Sequence, residues 1–422
     1  MPREMKDSGI EWIGEIPRTW ATDRLQWHLE EVKVSNSPIQ SEQILSLTIE
    51  AGVIPYEEKG NQGNKSKENY EEYKLAYPNT LVVNSMNVII GAIGISKYFG
   101  CVSPVYYVFK ATPNTDLRYI YYLFTNVGFQ KEMRKYAKGI LEIRLRISAE
   151  DMLKRIIPKP PFEEQKAIAD FLDKQCAEID AVIAKTKATI EEYKKLKQSI
   201  ITEAVTKGIR GDRPMKDSGI EWIGEIPADW DVVRIKTLFD YRNERNEKPL
   251  EEVNLISLYT DLGVVQHCDL ESTTGNKATN ADGYKLVYEN DIVVNIILCW
   301  MGAIGRSAYT GVTSPAYDVY SPREGTNSKF YHHLFRTQGF SGDCYKVGRG
   351  IMAMRWRTYS DQFRAIKVVA PPKEEQEEII EYLDQKCVEI DALVTKKEQI
   401  VVELESYKKS LIYEVVTGKR EV

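Results

Sequence analysis

The sequence has few of the residues that build metal centres and disulfide frameworks. Its 422 residues include six cysteines and four histidines, and no two cysteines form a Cys-x-x-Cys pair. This content argues against a zinc site or a disulfide scaffold, so we predict no metal. Long hydrophobic runs are also lacking: the longest, residues 296–301, is far shorter than a membrane span, and the first residues contain no apolar signal segment. We therefore expect a cytoplasmic protein.

Neither sign of charge dominates, and the common catalytic motifs are absent. Lysine plus arginine total 57 against 62 for aspartate plus glutamate, a formal charge of -5. This balance excludes a polybasic protein but leaves room for a local basic patch. The sequence has no Gly-x-x-x-x-Gly-Lys-Ser/Thr loop, no Gly-x-Ser-x-Gly elbow and no His-Glu-x-x-His pair. We predict that the chain has no catalytic residues and does no chemistry by itself.

An internal duplication is the strongest feature that is present. Residues 5–17 recur without a single change as residues 215–227. Farther along, the halves realign at a constant spacing: Gly-Ala-Ile-Gly at 91–94 recurs at 302–305, and Glu-Glu-Gln at 163–165 recurs at 374–376. This period is too long for a solenoid, whose repeats have about 20–50 residues. The sequence therefore predicts two copies of one module and a pseudo-twofold molecule.

Each module has two parts that differ in composition and in predicted secondary structure. The first part mixes short β-rich runs with turn signals and one predicted helix over 117–136. The second part, over 162–206 and 373–416, contains no proline or glycine and begins after a double proline, which suits the start of a helix. We therefore predict an α+β fold, with two similar mixed α/β domains (1–160 and 209–371), each followed by a long helix (161–208 and 372–422).

Apolar residues recur at alternating spacings of four and three along both helical stretches. The seam of the first consists of Leu172, Cys176, Ile179, Ile183, Ile190, Tyr193, Ile200 and Ala204, interrupted by Thr186 and Lys197. The seam of the second consists of Leu383, Cys387, Ile390, Val394, Val401, Leu404, Leu411 and Val415, interrupted by Lys397 and Lys408. This spacing over more than four heptads predicts a coiled coil.

The length of these helices suggests a spacer. About 45 residues at 1.5 Å each make a rod of roughly 65 Å. If the two seams bury against each other within one chain, the simplest arrangement is antiparallel, and the two domains are then held apart at a set distance. The alternative is that each helix packs only on its own domain, although helices of globular domains usually run about 8–20 residues.

Basic residues concentrate just before each long helix. Both copies contain Lys/Arg-Gly-Ile followed by two arginines at alternate positions, which share one face if the segment is a strand. Two polar loops, 60–69 and 272–280, add further lysines. The candidate DNA-binding residues are Lys65, Lys67, Lys138, Arg144, Arg146, Lys277, Arg349, Arg355 and Arg357.

Such patches suit contact with phosphate, and arginine can bind guanine edges through two hydrogen bonds. The alternative is a basic face that is solvated or that contacts a partner protein. The duplication favours DNA, because two related but diverged domains on a spacer match a two-part site on a duplex.

Both copies also share a set of motifs. Each opens with Asp-Ser-Gly-Ile-Glu-Trp-Ile-Gly-Glu-Ile-Pro, continues with Gly-Ala-Ile-Gly and Ser-Pro-x-Tyr, and then has Pro-Pro-x-Glu-Glu-Gln before a helix with Leu-Asp and Glu-Ile-Asp. In this combination, and over essentially its whole length, the chain resembles the specificity (S) subunit of type I restriction–modification systems.

The resemblance implies two target recognition domains that each read one part of a split, asymmetric DNA sequence. The helices would form the antiparallel coiled coil that sets the spacer and docks two modification (M) subunits. Those subunits would methylate adenine with S-adenosylmethionine, and restriction (R) subunits would join them to cleave unmethylated DNA with ATP and Mg²⁺. No cofactor is expected on this chain. The closely similar opening segments and helix entries fit parts that face the same partner.

Two other functions remain open at this point. A duplicated coiled-coil scaffold would bind proteins and never touch nucleic acid. A self-sufficient restriction–methylation enzyme is disfavoured, because the cofactor and nucleotide motifs that it needs are absent.

Overall fold

The computed structural model describes residues 3–60, 69–139, 145–267, 280–350 and 356–422. Its contacts divide the chain into two compact units, Met1–Lys187 with Glu398–Val422 (unit 1) and Ala188–Lys397 (unit 2). Each unit therefore combines one β-rich domain with parts of both long helices. The sequence-based division at residues 160, 208 and 371 stays a prediction. Among the helices in the described ranges, none combines the length and the apolar character that crossing a bilayer requires.

Unit 1 begins with a hairpin and is built from short strands and helices. Its strands are Met5–Ile10 (β1), Gly14–Pro17 (β2), Ala21–Arg24 (β3), Leu29–Glu31 (β4), Leu45–Thr48 (β5), Gly52–Pro55 (β6), Lys74–Ala76 (β7), Leu81–Asn84 (β8), Ile93–Ile95 (β9), Gly100–Val102 (β10), Tyr106–Ala111 (β11) and Ile156–Lys159 (β12). Its helices are Leu117–Thr125 (α1), Val127–Arg134 (α2), Ala149–Leu153 (α3) and the first part of Phe162–Lys207 (α4).

Unit 2 repeats this order of elements. Its strands are Met215–Asp217 (β13), Glu225–Pro227 (β14), Asp231–Arg234 (β15), Phe239–Arg242 (β16), Ile256–Tyr259 (β17), Gly263–Gln266 (β18), Lys285–Val287 (β19), Ile292–Asn295 (β20), Ile304–Arg306 (β21), Gly311–Thr313 (β22), Tyr317–Pro322 (β23) and Lys367–Ala370 (β24). Its helices are Ser328–Phe335 (α5), Gln338–Val347 (α6), Ser360–Ala365 (α7) and the first part of Lys373–Val416 (α8).

The central sheet has the same topology in both units. In unit 1 the strand order is β4-β11-β8-β9, and in unit 2 it is β16-β23-β20-β21, with antiparallel pairing throughout. Strands β8 (Leu-Val-Val-Asn) and β20 (Ile-Val-Val-Asn) are buried at every position, as apolar runs without alternation predict for a strand covered on both faces. The duplication seen in the sequence is therefore a duplication of fold, and the predicted α+β class is confirmed.

The single helix predicted over 117–136 is wrong in one respect. It is two helices, α1 and α2, separated at Asn126, whose backbone is extended (φ -74°, ψ 129°). The Asn126 side chain accepts a hydrogen bond from Gly128 N at 2.8 Å and so caps the second helix. Apolar residues continue across the break, so the sequence pattern predicts a single helix.

The Pro-Pro-x-Glu-Glu-Gln motif ties the start of each long helix to its domain. Gln165 accepts a hydrogen bond from Asp116 N at 3.0 Å and donates to the Pro160 carbonyl oxygen at 3.0 Å. Gln376 makes the corresponding bonds with Asn327 N and the Pro371 carbonyl oxygen. The preceding glutamates also act alike, because Glu164 accepts from the Trp20 indole and Glu375 from the Trp230 indole, each at 2.9 Å. The motif therefore fixes where each helix leaves its domain.

Both long helices end at a left-handed glycine. Helix α4 stops before Gly208 (φ +75°) and α8 shortly before Gly418 (φ +73°). Only glycine adopts this conformation without strain, and it commonly terminates helices in this way. Helix α4 has 46 residues and α8 has 44.

The long helices run antiparallel to each other within each unit. In unit 1 Asp180 pairs with Lys408 at 2.6 Å and Lys187 with Glu405 at 3.2 Å, so the numbering rises along one helix and falls along the other. In unit 2 Lys197 pairs with Asp391 at 2.6 Å, and Lys397 lies 5.8 Å from the centre of the Tyr193 ring. All twelve seam residues selected from the sequence are buried or half-buried: Leu172, Ile179, Ile183, Ile190, Tyr193, Ile200, Leu383, Ile390, Val394, Val401, Leu404 and Leu411.

Two of the three lysines that interrupt the seam, Lys197 and Lys408, form ion pairs. Lys197 corresponds to Lys408 in the duplication, and Asp180 corresponds to Asp391. The Lys408–Asp180 pair in unit 1 and the Lys197–Asp391 pair in unit 2 are thus two copies of one interaction. A polar residue at a seam position typically specifies register at some cost in stability.

The two flanks of the helix pair differ in character. On one side, several residues that directly follow seam positions in the sequence are charged and form the ion pairs above, namely Asp180, Lys187 and Asp391. On the other side, five residues that directly precede seam positions are apolar and 38–50 % exposed: Val182, Ile400 and Tyr407 in unit 1, and Leu196 and Leu393 in unit 2. In an antiparallel pair, residues that flank the seam in this way face their counterparts on the other helix. Each unit therefore has one apolar flank that is open to solvent.

The two repeated tryptophans of the opening hairpin permit a matched stability test. Trp222 Nε1 donates to Asp343 Oδ2 at 2.6 Å, whereas Trp12 Nε1 is buried without a hydrogen-bond partner among the described residues. We expect Trp222→Phe to reduce the free energy of unfolding by about 2 kcal/mol more than Trp12→Phe. Only the first change breaks a charge-assisted hydrogen bond, while the second removes an unsatisfied donor.

Urea denaturation of both variants checks this prediction. Both changes shrink the side chain from tryptophan to phenylalanine, so each variant is the control for the loss of volume in the other. Equal losses of stability would contradict it.

Candidate nucleic-acid interface

Two basic residues face each other across an antiparallel bridge in each unit. In unit 1, Lys138 N donates to the Arg146 carbonyl oxygen at 2.8 Å and Arg146 N to the Lys138 carbonyl oxygen at 2.9 Å. In unit 2, Arg349 and Arg357 exchange the same two bonds at 2.8 and 2.9 Å. We call these pairs the first and second basic bridges. They occupy equivalent positions in the duplication.

Each bridge lies at the end of a central strand. Ile147, next to Arg146, donates its N–H to the Ser85 carbonyl oxygen just after β8. Thr358, next to Arg357, donates its N–H to the Ile296 carbonyl oxygen just after β20. The buried strands therefore hold the bridges in place, and the four basic side chains are exposed.

The charges of the bridges are not neutralised within the described part of the chain. Neither Lys138, Arg146, Arg349 nor Arg357 forms an ion pair there, and the one polar side-chain contact is from Arg146 Nε to Ser85 Oγ at 3.2 Å. Directly opposed residues of like charge destabilise an antiparallel pair. Two such pairs at equivalent positions therefore suit an external polyanion that relieves the repulsion.

Other basic residues near the bridges are already engaged. Lys135 pairs with Glu11 at 2.7 Å and Lys346 with Glu221 at 3.0 Å, again at equivalent positions. The hydrogen bond from Lys135 holds the pKa of the Glu11 carboxyl below its ordinary value, and the bond to Glu221 raises the pKa of Lys346. Lys154 and Lys159 likewise pair with Glu150 and Asp23. Fewer basic residues are therefore available to bind an external anion than the sequence count suggests.

The structure brings four of the nine candidate DNA-binding residues into the two bridges. The other five, Lys65, Lys67, Arg144, Lys277 and Arg355, lie outside the described residues. No group of three or more potential metal ligands occurs among the described residues.

Aromatic residues beside the second bridge were missed from the sequence. Tyr345 and Trp356 stack with ring centroids 4.9 Å apart, and Trp300 lies 5.7 Å from Tyr345. These residues are far apart in sequence and follow no helical or strand period. The only available signal was that Trp356 directly precedes Arg357.

Comparison with known proteins identifies the family of the chain. The sequence matches the type I restriction modification DNA specificity domain over residues 31–192 and 227–403, one match in each half. The chain belongs to this family. The family that the motifs indicated is therefore confirmed, and it is a family of non-catalytic specificity subunits.

Two relatives agree with this assignment, one over nearly its full length and one over a short segment. The putative type I restriction enzyme MjaX specificity subunit of Methanocaldococcus jannaschii is 26% identical over 439 aligned residues, covering 97% of this chain and 96% of the relative. The type I restriction enzyme MjaVIII specificity subunit of the same organism is 38% identical over 87 residues, which cover 21% of this chain and 19% of the relative.

Solved structures share the fold. A chain from a study of complex assembly and conformational transition of the type I R-M system has a TM-score of 0.70 at 13% identity, covering 96% of this chain and 99% of that chain. The HsdS subunit from Thermoanaerobacter tengcongensis has a TM-score of 0.53 at 15% identity, covering 96% and 98%. At these identities the likeness establishes the fold alone.

Proposed function

We propose that this type I specificity subunit recognises a two-part, asymmetric DNA site, with one recognition domain for each part. The observation that carries the proposal is the pair of basic bridges. They are exposed, lack ion-pair partners within the described ranges, and occur at equivalent positions in two related domains. Phosphate contacts from such side chains supply affinity, and arginine can also read guanine edges.

Differences between the two domains support an asymmetric site. The first bridge contains Lys138 where the second has Arg349, and Ser85 contacts Arg146 where the second domain has Ile296. Lysine acts as a point charge, while arginine presents a planar fork of donors. Two equivalent bridges with different chemistry fit two different base sequences.

The long helices suit the role of spacer. Helix α4 is unbroken over 46 residues, or roughly 70 Å at 1.5 Å per residue, and has residues in both units. In this proposal the helical segment sets the number of non-specific base pairs between the two half-sites.

The apolar flanks of the helix pair suit docking of two methyltransferase subunits. Val182 with Tyr407 in unit 1, and Leu196 with Leu393 in unit 2, are corresponding pairs in the duplication and are nearly half exposed. An apolar stripe beside a seam offers a ready surface for further helices to pack on. Two equivalent stripes then accept two copies of the same subunit.

The proposed partners carry the chemistry. The methyltransferase subunits would bind S-adenosylmethionine and methylate adenine, and restriction subunits with ATP and Mg²⁺ would cleave unmethylated DNA. This chain would supply recognition and spacing to that adenine-specific methyltransferase and endonuclease.

Adenine methylation in the host genome tests the proposal. Single-molecule sequencing with and without the gene should show a two-part motif with a fixed gap that loses its methylation when the gene is deleted. A genome whose methylated motifs are unchanged by the deletion would refute the proposal.

A protein scaffold that never binds DNA is the competing function. Binding of the chain, with its methyltransferase subunits, to random duplex should weaken steeply with salt if the bridges contact phosphates. Binding that is absent, or insensitive to salt, would favour the scaffold.

A further inference from the structure

The second basic bridge is supported by a stack of aromatic rings. Tyr345 and Trp356 lie with their ring planes 21° apart, and Trp300 packs against the other end of the cluster. Trp356 Nε1 donates a hydrogen bond to the Tyr345 carbonyl oxygen at 3.1 Å. Because Trp356 directly precedes Arg357, the stack fixes the backbone on one side of the bridge.

A glycine accommodates the stack on the other side of the bridge. Gly348 directly precedes Arg349, and a Cβ atom at this position would lie 2.3 Å from Trp356 Nε1. Such an approach is too close for any side chain, so the packed tryptophan requires glycine at position 348. Both members of the bridge therefore follow a residue that belongs to the stack or makes room for it.

Unit 1 has a different residue at each of the four corresponding positions. The positions that correspond to Tyr345, Trp356, Trp300 and Gly348 hold Arg134, Leu145, Ile89 and Ala137. The four differences occur together: unit 1 has alanine at the position where the stack requires glycine, and it has no aromatic residue at any of the three ring positions. Unit 1 instead places the Arg155 guanidinium 3.3 Å from the centre of the Tyr136 ring.

Core packing alone does not account for the stack. Tyr345 is 48 % exposed, so its ring contributes less to the interior than a buried aromatic does. The neighbouring arginines repel each other across the bridge, and a rigid support opposes that repulsion before any ligand is present. A group held in its bound conformation costs less to order on binding.

We propose that Trp300, Tyr345 and Trp356 are positioning residues that hold Arg349 and Arg357 ready for the second half-site. The first bridge lacks this support and is ordered to a greater extent by the DNA itself. This inference rests on the proposed function, because it presumes that the bridges contact DNA. It adds that the two domains bind their half-sites with different degrees of preorganisation.

Selection from a pool of duplexes with randomised sequence tests the inference. The chain is assembled with its methyltransferase subunits, and the bound duplexes are sequenced to score each half-site separately. Trp356→Leu, which copies Leu145 of unit 1, should weaken the preference for the second half-site about 10-fold and leave the first unchanged. The salt dependence of binding should stay as in the wild type, because the phosphate contacts remain, whereas Arg357→Ala should lower its slope by about 1.

Matched variants separate positioning from general damage. Trp356→Phe keeps an aromatic ring in the stack and should stay within about 3-fold of the wild type, while Leu145→Ala tests the same position in unit 1 and should spare the second half-site. If Trp356→Leu does not assemble, Tyr345→Arg, which copies Arg134, decides by the same measurements. A variant that retains the wild-type preference for the second half-site overturns the inference, and so does a Trp356→Phe protein as defective as Trp356→Leu.

One result separates this inference from the proposal beneath it. If the double change Arg349→Ala with Arg357→Ala leaves the second half-site intact, the assignment of the bridge to DNA fails. If that double change weakens the half-site but loss of the stack does not, only the positioning role fails.

Discussion

Replacing Arg349 and Arg357 together by glutamate should reduce methylation of the two-part site at least 100-fold in the assembled complex. Each change reverses a charge at a side chain that is exposed and lacks an ion-pair partner within the described ranges. Loss of two phosphate contacts and gain of two repulsive charges together exceed the roughly 2.7 kcal/mol that a 100-fold effect represents. Initial rates of methyl transfer to a duplex carrying the site, with and without the change, provide the measurement.

The matched control reverses two lysines that are already paired. Lys329→Glu with Lys346→Glu changes the net charge by the same amount, but these lysines contact Asp384 and Glu221. We expect this control to methylate within a few-fold of the wild type. Equal loss in both proteins would mean that net charge, and not the bridge, governs binding.

Lengthening the helices should move the half-sites apart without changing either one. Four residues inserted between Ile183 and Ile190, together with four between Val394 and Val401, add about 6 Å to each helix. At about 3.4 Å per base pair, the gap in the methylated motif should grow by at most about two base pairs. Sequencing of methylated adenines in cells that carry the lengthened chain reads out the gap directly.

Inserting in both helices lengthens them equally and preserves the duplication, because Ile183 and Ile190 correspond to Val394 and Val401. As a control for local damage, a second variant carries four conservative substitutions at exposed positions of the same two segments and has no insertion. A methylated motif with its original gap in the lengthened protein would contradict the spacer role.

The helices could be predicted from local periodicity, and the duplication from motifs that recur about 210 residues apart. Helix α4 spans Phe162–Lys207 and α8 spans Lys373–Val416, close to the ranges that lack proline and glycine. The break at Asn126 could not be seen in the same way, since it depends on a side-chain cap rather than on periodicity. Ion-pair partners of the seam lysines were also hidden, because Asp180 and Asp391 lie on the opposite helix in each pair.

The candidate site was only partly predictable, because charge counting ignores partners that are distant in sequence. Lys135 is neutralised by Glu11, more than a hundred residues away in the chain, and Lys159 by Asp23. Lys138 and Arg146 face each other across a single isolated bridge, which no alternating strand pattern in the sequence could predict. The motifs indicate the family and the charge pattern indicates the candidate basic residues, whereas the pairing of these residues into two bridges is seen only in the structure.

The paired lysines and aspartates of the helices have a consequence for how such a chain can arise. Helix α4 carries both partners of the interaction, Asp180 and Lys197, at the positions where α8 carries Asp391 and Lys408. Two identical copies of one repeat could therefore satisfy each other, Asp180 of one with Lys197 of the other, in an isologous dimer. The chain thus has the ion-pair pattern expected of a fused homodimer, and a single-repeat ancestor would already have carried a self-complementary helix.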